Sequence, residues 1–293
     1  MKALIIAEHA AAAAELVAGA RTMADEVVAI SFGGAYECGA DKVLNITVPE
    51  GLTVDSAVET VNAAFDAENP EVVLVEACRH MKVIAGSLAF HADTAVITDV
   101  TAFEAEGAKS MYFGGIAERV QKAAGNVAIY TVGAGVFDGA EGANGSVAEQ
   151  EWVAPARPVK VVSSQVIEKS GVNLFKADVV VAAGRGFAEE SQLSLANDLC
   201  DKLGAGLACS RPLTEGVNWL PTERYVGVSG IPVTPKVYIA AGISGQMQHM
   251  VGCNRSGAIF AINKDKNAPI FKQCDFGLIG DIKDVLPAIT AAL

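Results

Sequence analysis

An uncharged stretch near the C-terminal end of the chain, residues 237–254, constrains the fold more than any other segment. It begins with apolar and aromatic residues, and a Gly-Ile-Ser-Gly turn follows, which predicts a buried strand, a tight turn and a short helix. Ser244, Gln246, Gln248 and His249 stand close together around this turn. An apolar frame that holds a few polar groups where a strand gives way to a helix is typical of a small-molecule or cofactor site.

Apolar strands alternate with helices in both halves of the 293-residue chain, which is long enough for two domains of ordinary size. Such alternation predicts parallel strands joined by helical crossovers. The expected fold class is therefore α/β with two domains, a Rossmann-like α/β domain at the N-terminus and a parallel-sheet domain at the C-terminus. Asp55 is expected to cap the helix over residues 56–67. Further predicted elements are strands over residues 2–7, 27–32, 42–48, 72–75, 178–183 and 205–210, and helices over residues 10–23, 79–90 and 189–203.

The middle of the chain has a different pattern. Residues 95–132 are rich in predicted strands, one of them over residues 103–109. A glycine-rich passage over residues 133–145 and a proline-containing segment over residues 152–158 follow, and they predict an interdomain connection. The expected domains are residues 1–166 and residues 167–293.

The charge and the apolar runs exclude several classes of function. The net charge is −12, with 22 basic and 34 acidic residues, which argues against nucleic acid and against an anionic membrane surface as partners. No apolar run is long enough to span a bilayer, so we expect no membrane insertion. The six cysteines are scattered without a CxxC pair, and the first apolar run is too short for a signal peptide. These features predict a cytoplasmic protein with reduced thiols.

Gly184-Arg185-Gly186 lies between a predicted strand and a predicted helix. Small residues at such a turn let a phosphate approach the N–H groups at the helix start. The dinucleotide fingerprint requires a third glycine three residues later, where this chain has Glu189, so the standard mode of NAD binding is not expected. An ordinary strand-to-helix turn is the alternative interpretation.

Ser210 and Arg211 lie at the carboxyl end of another predicted strand, where open α/β sheets bind ligands. Because Arg211 precedes Pro212, we expect an extended backbone at this residue. Its guanidinium could stack on a flat ring or bind an anion, and a surface salt bridge is the alternative.

Further polar residues follow the next strands. Ser244 and Gly245 would present backbone N–H groups at a helix start, and the alternative role of His249 is that of a neutral histidine inside the core. Asn263 and Asp281 end later strands, where they could bind ribose hydroxyls or adenine, or serve only as turn and capping residues. Polar clusters at successive strand ends of one sheet together favour a cofactor site.

Sequence motifs for acid–base, nucleophilic or metal catalysis are missing. The chain has no GxSxG, HExxH or Walker lysine loop, and its four histidines show no metal-ligand spacing. We therefore predict a cofactor holder with no catalytic residue and no metal site.

The C-terminal half contains a series of distinctive motifs: Ser-Arg-Pro from Ser210, Leu-Pro-Thr-Glu-Arg-Tyr-Val-Gly-Val-Ser-Gly from Leu220, Tyr-Ile-Ala-Ala-Gly-Ile-Ser-Gly-Gln-Met-Gln-His from Tyr238, Ala-Ile-Asn-Lys-Asp from Ala261, Ala-Pro-Ile-Phe from Ala268, and Asp-Phe-Gly-Leu-Ile-Gly-Asp from Asp275. These motifs resemble those of the electron-transfer flavoprotein alpha subunit. The motifs are dense and keep the order of the family. The first half is similar to the family only in its order of strands and helices.

The resemblance implies FAD bound in the C-terminal domain and pairing with an electron-transfer flavoprotein beta subunit. It implies an electron carrier rather than an enzyme with its own substrate. The donor would be a dehydrogenase of the acyl-CoA dehydrogenase type, and the acceptor a quinone reductase or a similar protein, in fatty acid or acyl-CoA metabolism.

The resemblance also implies which residues contact FAD. Arg211 would lie near the flavin ring, the hydroxyl of Ser229 near flavin N5, and His249 would donate to the O2 side. Residues 244–248 would hold the pyrophosphate and ribityl chain. The full set of implied contacts is Arg185, Ser210, Arg211, Val226, Gly227, Val228, Ser229, Ser244, Gly245, Gln246, Met247, Gln248, His249, Asn263, Asp281 and Ile282.

Two other classes of function stay open at this point. One is a flavin- or NAD-dependent oxidoreductase with its own substrate, which would need a general acid or base facing the cofactor. The other is a non-catalytic nucleotide-binding subunit, whose strand ends hold AMP or nothing.

Overall fold

The structure, a computed structural model, describes residues 1–139, 142–165 and 172–293. The chain divides into two compact units. The first unit comprises Met1–Tyr112 and Glu118–Val166, and the second comprises Phe113–Ala117 and Ile167–Leu293. Among the described residues, no helix is both long and apolar enough to cross a membrane.

The first unit is built on one sheet with helices on both faces. Side chains alternate between the two faces along each strand, so that Ile5 packs with helix α1 and Leu4 with helices α2 and α3, which cover the opposite face. The helices are α1 (Ala10–Arg21), α2 (Val58–Glu68) and α3 (Arg79–His91). The strands are β1 (Lys2–Ile6), β2 (Glu26–Phe32), β3 (Lys42–Ile46), β4 (Val72–Glu76), β5 (Val96–Glu104), β6 (Gly107–Tyr112), β7 (Ala117–Gln121), β8 (Ala128–Val132) and β9 (Ser146–Glu149).

The strand order, within the described residues, is β7-β6-β5-β8-β4-β1-β2-β3-β9. Strands β5, β8, β4, β1, β2, β3 and β9 run parallel, and β6 pairs antiparallel with β5. Inner strands of a parallel sheet are covered on both faces, which explains their continuous apolar runs.

Three differences between the first unit and the sequence-based expectations have a clear physical cause. The predicted strand over residues 103–109 is wrong, because the chain turns at 105–106 and Gly107 has a φ of +144° that favours glycine. Asp55 is not the helix cap, because a short 3-10 turn over Val54–Ala57 precedes α2, and Asp55 accepts a hydrogen bond from Thr53. The edge strand β9 was not predicted, because its four residues are all exposed and show no apolar alternation.

The second unit contains a five-stranded parallel sheet in the described residues, with the order β11-β10-β12-β13-β14. The mainly parallel first sheet and the parallel second sheet confirm the predicted α/β class. The strands are β10 (Val179–Ala183), β11 (Gly206–Cys209), β12 (Val237–Ala241), β13 (Ala258–Asn263) and β14 (Phe276–Ile279). The helices are α4 (Leu193–Leu203), α5 (Met247–Met250) and α6 (Ile282–Ala292).

The strand order of this sheet reverses between β10 and β12. The chain passes from β10 outward to β11 on one side, and continues with β12, β13 and β14 on the other. Helices α4 and α6 pack together and bury Leu199 and Leu286 against one face. In open α/β sheets, ligands bind beyond the carboxyl ends of the strands at such a reversal.

Candidate cofactor site

A cavity of about 450 Å³ lies at the carboxyl ends of the second unit's strands. Its volume is in the range of small-molecule and cofactor sites. It brings together nine of the residues that the sequence singled out, eight from the ends of four strands and Val228 from the loop before β12: Arg185, Ser210, Arg211, Val228, Ser244, Gln246, Gln248, His249 and Asn263.

Two turns cross at the floor of this cavity. The N–H group of Gly184 donates to the carbonyl of Ala241 over 2.9 Å, and the N–H group of Gly186 donates to the carbonyl of Gly242 over 2.9 Å. A Cβ atom on Gly186 would lie 2.5 Å from the Cα atom of Gly242. The glycines are therefore present because two backbones touch, and these two N–H groups are engaged rather than available for a phosphate.

Backbone N–H groups without a backbone acceptor in the described part of the chain lie instead in the turn after β12. Within the described residues, none of the five backbone N–H groups of Ser244 to Gln248 donates to a backbone carbonyl. The same loop is held through its carbonyl groups: Asn263 Nδ2 donates to Ile243 over 2.9 Å, and Gln273 Nε2 donates to Gly245 over 2.9 Å. Unpaired N–H groups at a turn into a helix bind anions.

Gly245 lets this loop pack tightly against the segment that follows β13. Its φ is +80°, and a Cβ atom there would lie 2.4 Å from the Cα atom of Ile270. The N–H group of Ile270 donates to the carbonyl of Ser244 over 3.0 Å. Gly245 itself does not line the cavity, but it brings Ala268 and Pro269 to its wall.

Arg211 lines the cavity, but its backbone is helical rather than extended, with φ −44° and ψ −42°. The expectation from Pro212 is wrong, because the Arg211 carbonyl accepts hydrogen bonds from the N–H groups of Thr214 and Glu215 and from the Thr214 hydroxyl. These bonds outweigh the bias that proline imposes. The Nε atom of Arg211 lies 2.6 Å from the Glu215 carboxylate, so the predicted salt bridge and the position at the cavity occur together.

His249 is buried at the cavity wall, with an exposed fraction of 7%. Its Nε2 atom lies 2.9 Å from the hydroxyl of Tyr238, and its Nδ1 atom has no hydrogen-bond partner in the described part of the chain. Burial lowers the pKa of His249 to about 4, and the carbonyl of Val226, which lies near the ring but outside hydrogen-bonding geometry, opposes part of this shift. The ring is therefore neutral at pH 7 and carries one N–H donor.

Seven predicted residues lie outside the cavity lining. Asp281 caps α6 by accepting from the N–H group of Lys283 over 3.0 Å, and the side chain of Ile282 is buried in the core. The hydroxyl of Ser229 lies 3.2 Å from that of Tyr225. The complete set is Val226, Gly227, Ser229, Gly245, Met247, Asp281 and Ile282, and their contact with a cofactor stays a prediction.

Eight lining residues were absent from the predicted contacts: Gly186, Pro212, Tyr225, Gly242, Ile243, Asp265, Ala268 and Pro269. Asp265 follows Asn263 by two residues, and its N–H group donates to the Asn263 side chain over 2.9 Å, so its place after β13 could have been inferred. Tyr225 is brought to the cavity by a single parallel β-bridge between its backbone and that of Cys209, and no sequence pattern predicts this pairing.

The first unit contains a second polar cluster that spacing did not suggest. Glu8, His9 and Cys78 place ligand-type atoms within 4.8 Å of one another at the ends of β1 and β4. Glu8 accepts hydrogen bonds from His80 and Cys78, while His9 pairs with Glu76 over 2.7 Å. Burial raises the pKa of the Cys78 thiol to about 11, so this sulfur is a protonated donor to Glu8, and hydrogen bonds account for the cluster.

The fold and the cavity together define a cofactor-binding α/β protein whose site suits an anionic, partly flat ligand. Comparison with known proteins gives the family. Residues 3–157 match the electron transfer flavoprotein domain, and residues 173–254 match the electron transfer flavoprotein FAD-binding domain. The chain belongs to the electron transfer flavoprotein family and is an alpha-type subunit.

Curated relatives align with nearly the whole chain. The chain is 38% identical over 293 residues to Protein FixB of Escherichia coli O157:H7, covering 95% of this chain and 94% of that protein. Protein FixB of Shigella flexneri is also 38% identical, and that of Escherichia coli O127:H6 is 36% identical, both with the same coverage. Family membership implies a flavin cofactor, a beta-subunit partner, and a dehydrogenase or quinone oxidoreductase with which electrons are exchanged.

The residues present fit a flavin nucleotide. The N–H groups of residues 244–248 offer donors for phosphate oxygens, and Arg185 and Arg211 add positive charge at the same cavity. The buried Nδ1 atom of His249 lacks a partner that a ring oxygen of a flavin could supply.

Proposed function

We propose that this chain binds FAD in the cavity of its second unit and, paired with a beta subunit, carries electrons from a dehydrogenase of the acyl-CoA dehydrogenase type to a quinone reductase or similar acceptor. The observation that carries the FAD site is the row of backbone N–H groups over residues 244–248, flanked at the same cavity by Arg185, Arg211 and the unpartnered ring nitrogen of His249.

The extent of the cavity supports a dinucleotide rather than a mononucleotide. Its lining runs from Ser210 and Arg211 after β11 to Asn263 and Asp265 after β13. These strands are three inter-strand spacings apart in the sheet, which corresponds to about 14 Å. The phosphate-binding turn after β12 lies between the two ends, as the pyrophosphate of FAD lies between its flavin and adenosine halves.

A bound flavin supplies electron transfer, and the protein contributes binding, orientation and electrostatics. Arg211 and the N–H group of His249 favour negative charge on a flavin ring placed between them. Hydrogen bonds to charged groups are stronger in a buried site than in water. A single well-placed donor therefore has a measurable effect on the reduction potential of a bound flavin.

A carrier is favoured over an oxidoreductase with its own substrate. A general base should have a pKa near the working pH, whereas burial lowers the pKa of His249 to about 4. The remaining ionisable groups of the lining are two arginines, Tyr225 and Asp265. Asp265 already accepts a hydrogen bond from the N–H group of Asn267 over 2.9 Å, which assigns it to the turn after β13.

The purified heterodimer should show flavin absorbance, and chromatography of the extracted cofactor should identify it as FAD. Turnover of a dye with NADH in the absence of any partner should be negligible. His249→Ala should lower the potential of the first electron while FAD stays bound, because a hydrogen bond to the charged ring is lost. His91→Ala, at an exposed position beside Asp66, is the matched control. A heterodimer that shows no flavin spectrum even after FAD is added would reject the proposal.

A further inference from the structure

Tyr238, the second residue of β12, is fully buried and has the largest side chain of those with no measurable exposure in the described residues. Its hydroxyl lies 2.9 Å from Nε2 of His249, and the two rings are tilted at 51° with their centres 6.1 Å apart. A buried hydroxyl needs an acceptor for its hydrogen, because an unpaired donor in the core is costly.

The hydroxyl of Tyr238 has two polar side chains beside it, His249 and Cys253. The Cys253 thiol directs its weak donor toward the His249 carbonyl, 4.0 Å away. Sulfur is a weak acceptor, whereas the unprotonated nitrogen of a neutral imidazole is a good one. The Tyr238 O–H group therefore donates to Nε2 of His249.

This hydrogen bond determines where the single proton of the imidazole resides. Burial keeps the ring neutral at pH 7, since its pKa is lowered to about 4. A neutral ring whose Nε2 atom accepts must carry its hydrogen on Nδ1. Nδ1 is also the ring nitrogen for which the described residues offer no partner.

We propose that Tyr238 is a positioning residue that fixes His249, at the cavity wall, in the Nδ1–H tautomer, so that the nitrogen without a partner among the described residues carries a donor rather than a bare lone pair. The opposite tautomer would place a lone pair where the flavin develops negative charge, and would repel it. The benefit to the flavin rests on the proposed function, whereas the tautomer itself is a property of this chain alone.

The test uses the heterodimer labelled with ¹⁵N-histidine, in which long-range ¹H–¹⁵N spectra distinguish the two tautomers. The chain has four histidines, and the His249 signals are assigned by their loss in His249→Gln. Wild-type protein should show His249 as the Nδ1–H form. Tyr238→Phe keeps the ring packing and removes only the donor, and it should convert His249 to the Nε2–H form or to a mixture.

The second readout is the potential of the first electron. Tyr238→Phe should lower it by about 59 mV, which corresponds to a tenfold loss of preference for the reduced flavin. The same substitution should have no effect in a His249→Ala background, because its action passes through the histidine. Tyr130→Phe in β8 of the first unit is the matched control and should change neither readout.

Two results would overturn the proposal: a wild-type His249 in the Nε2–H form, or a Tyr238→Phe protein that keeps the Nδ1–H form. The wild-type measurement can overturn the proposal even where the variant does not fold. Failure of the proposed function has a different signature, since a chain that binds no flavin would still show the Nδ1–H tautomer and its dependence on Tyr238.

Discussion

The contact between the two turns at the cavity floor can be tested by adding one methyl group. Gly242→Ala places a Cβ atom 2.7 Å from the Cα atom of Gly186, at a residue whose φ is +64°. The left-handed conformation costs an alanine about 1–2 kcal/mol, and forcing apart two packed backbones costs about 1–3 kcal/mol more. We expect Gly242→Ala to destabilise the second unit by about 2–5 kcal/mol.

Two further glycines separate these contributions. Gly204, after α4, has a φ of +61° and no atom within 4 Å of an added Cβ, so Gly204→Ala should cost only the conformational part, about 1–2 kcal/mol. Gly186→Ala adds only the clash, because a Cβ atom there would lie 2.5 Å from the Cα atom of Gly242. It should cost about 1–3 kcal/mol.

Urea unfolding followed by tryptophan fluorescence measures these differences. The chain has two tryptophans, Trp152 against the core of the first unit and Trp219 against that of the second. A Trp152→Phe background leaves Trp219 to report on the second unit alone. Gly242→Ala and Gly186→Ala should also weaken flavin binding, whereas Gly204→Ala should not. Equal destabilisation by Gly242→Ala and Gly204→Ala would show that the two turns do not touch.

Three other outcomes are expected. The pKa of His249 is about 4 in the folded protein and 6.5 ordinarily, so the unfolded chain binds more protons between these pH values. The free energy of unfolding should therefore fall by about 3 kcal/mol as the pH falls from 7 to 4. Urea unfolding should show a smaller loss in His249→Gln, and an equal loss would contradict the lowered pKa of His249. Asp281→Ala should destabilise α6 by about 1 kcal/mol in thermal or urea unfolding, whereas Asp281→Asn keeps a capping oxygen and should not. Glu215→Gln should raise the potential of the first electron by releasing Arg211 from its ion pair, and Arg211→Gln should lower it; shifts of the same sign would reject a role for this guanidinium beside the ring.

Periodicity and strand-end chemistry predicted the α/β class, since the buried apolar runs around Val180 and Tyr238 leave few alternatives to parallel strands. The same reasoning placed Ser244, His249 and Asn263 at one edge of the sheet, because carboxyl ends of parallel strands meet there. What the pattern could not show is which turn, among the described residues, leaves its backbone N–H groups unpaired. Glycines serve close backbone packing as often as anion binding, and only the bonds from Gly184 to Ala241 distinguish the two.

Other features depended on contacts between residues distant in the sequence. A residue before proline prefers an extended backbone, but Arg211 is helical because its carbonyl accepts three hydrogen bonds from Thr214 and Glu215. A rule based on the neighbouring residue alone does not include these bonds. The hydrogen bond between Tyr238 and His249 joins strand β12 to a helix residue eleven positions later. In the sequence, a tyrosine within an apolar run indicates only a side chain that packs in the core. Strand β9 depends on pairing with β3, more than a hundred residues earlier, rather than on its own composition.

The loop over residues 243–246 is held by side chains and backbone groups of this chain and needs no ligand to take its shape. Asn263 and Gln273 bind its carbonyls, and Ile270 packs against Gly245. A site that is already ordered loses little conformational entropy when its ligand arrives, which favours tight binding and a fast association step. The released cofactor should therefore rebind to an unchanged turn, and flavin analogues should exchange into the protein without refolding it.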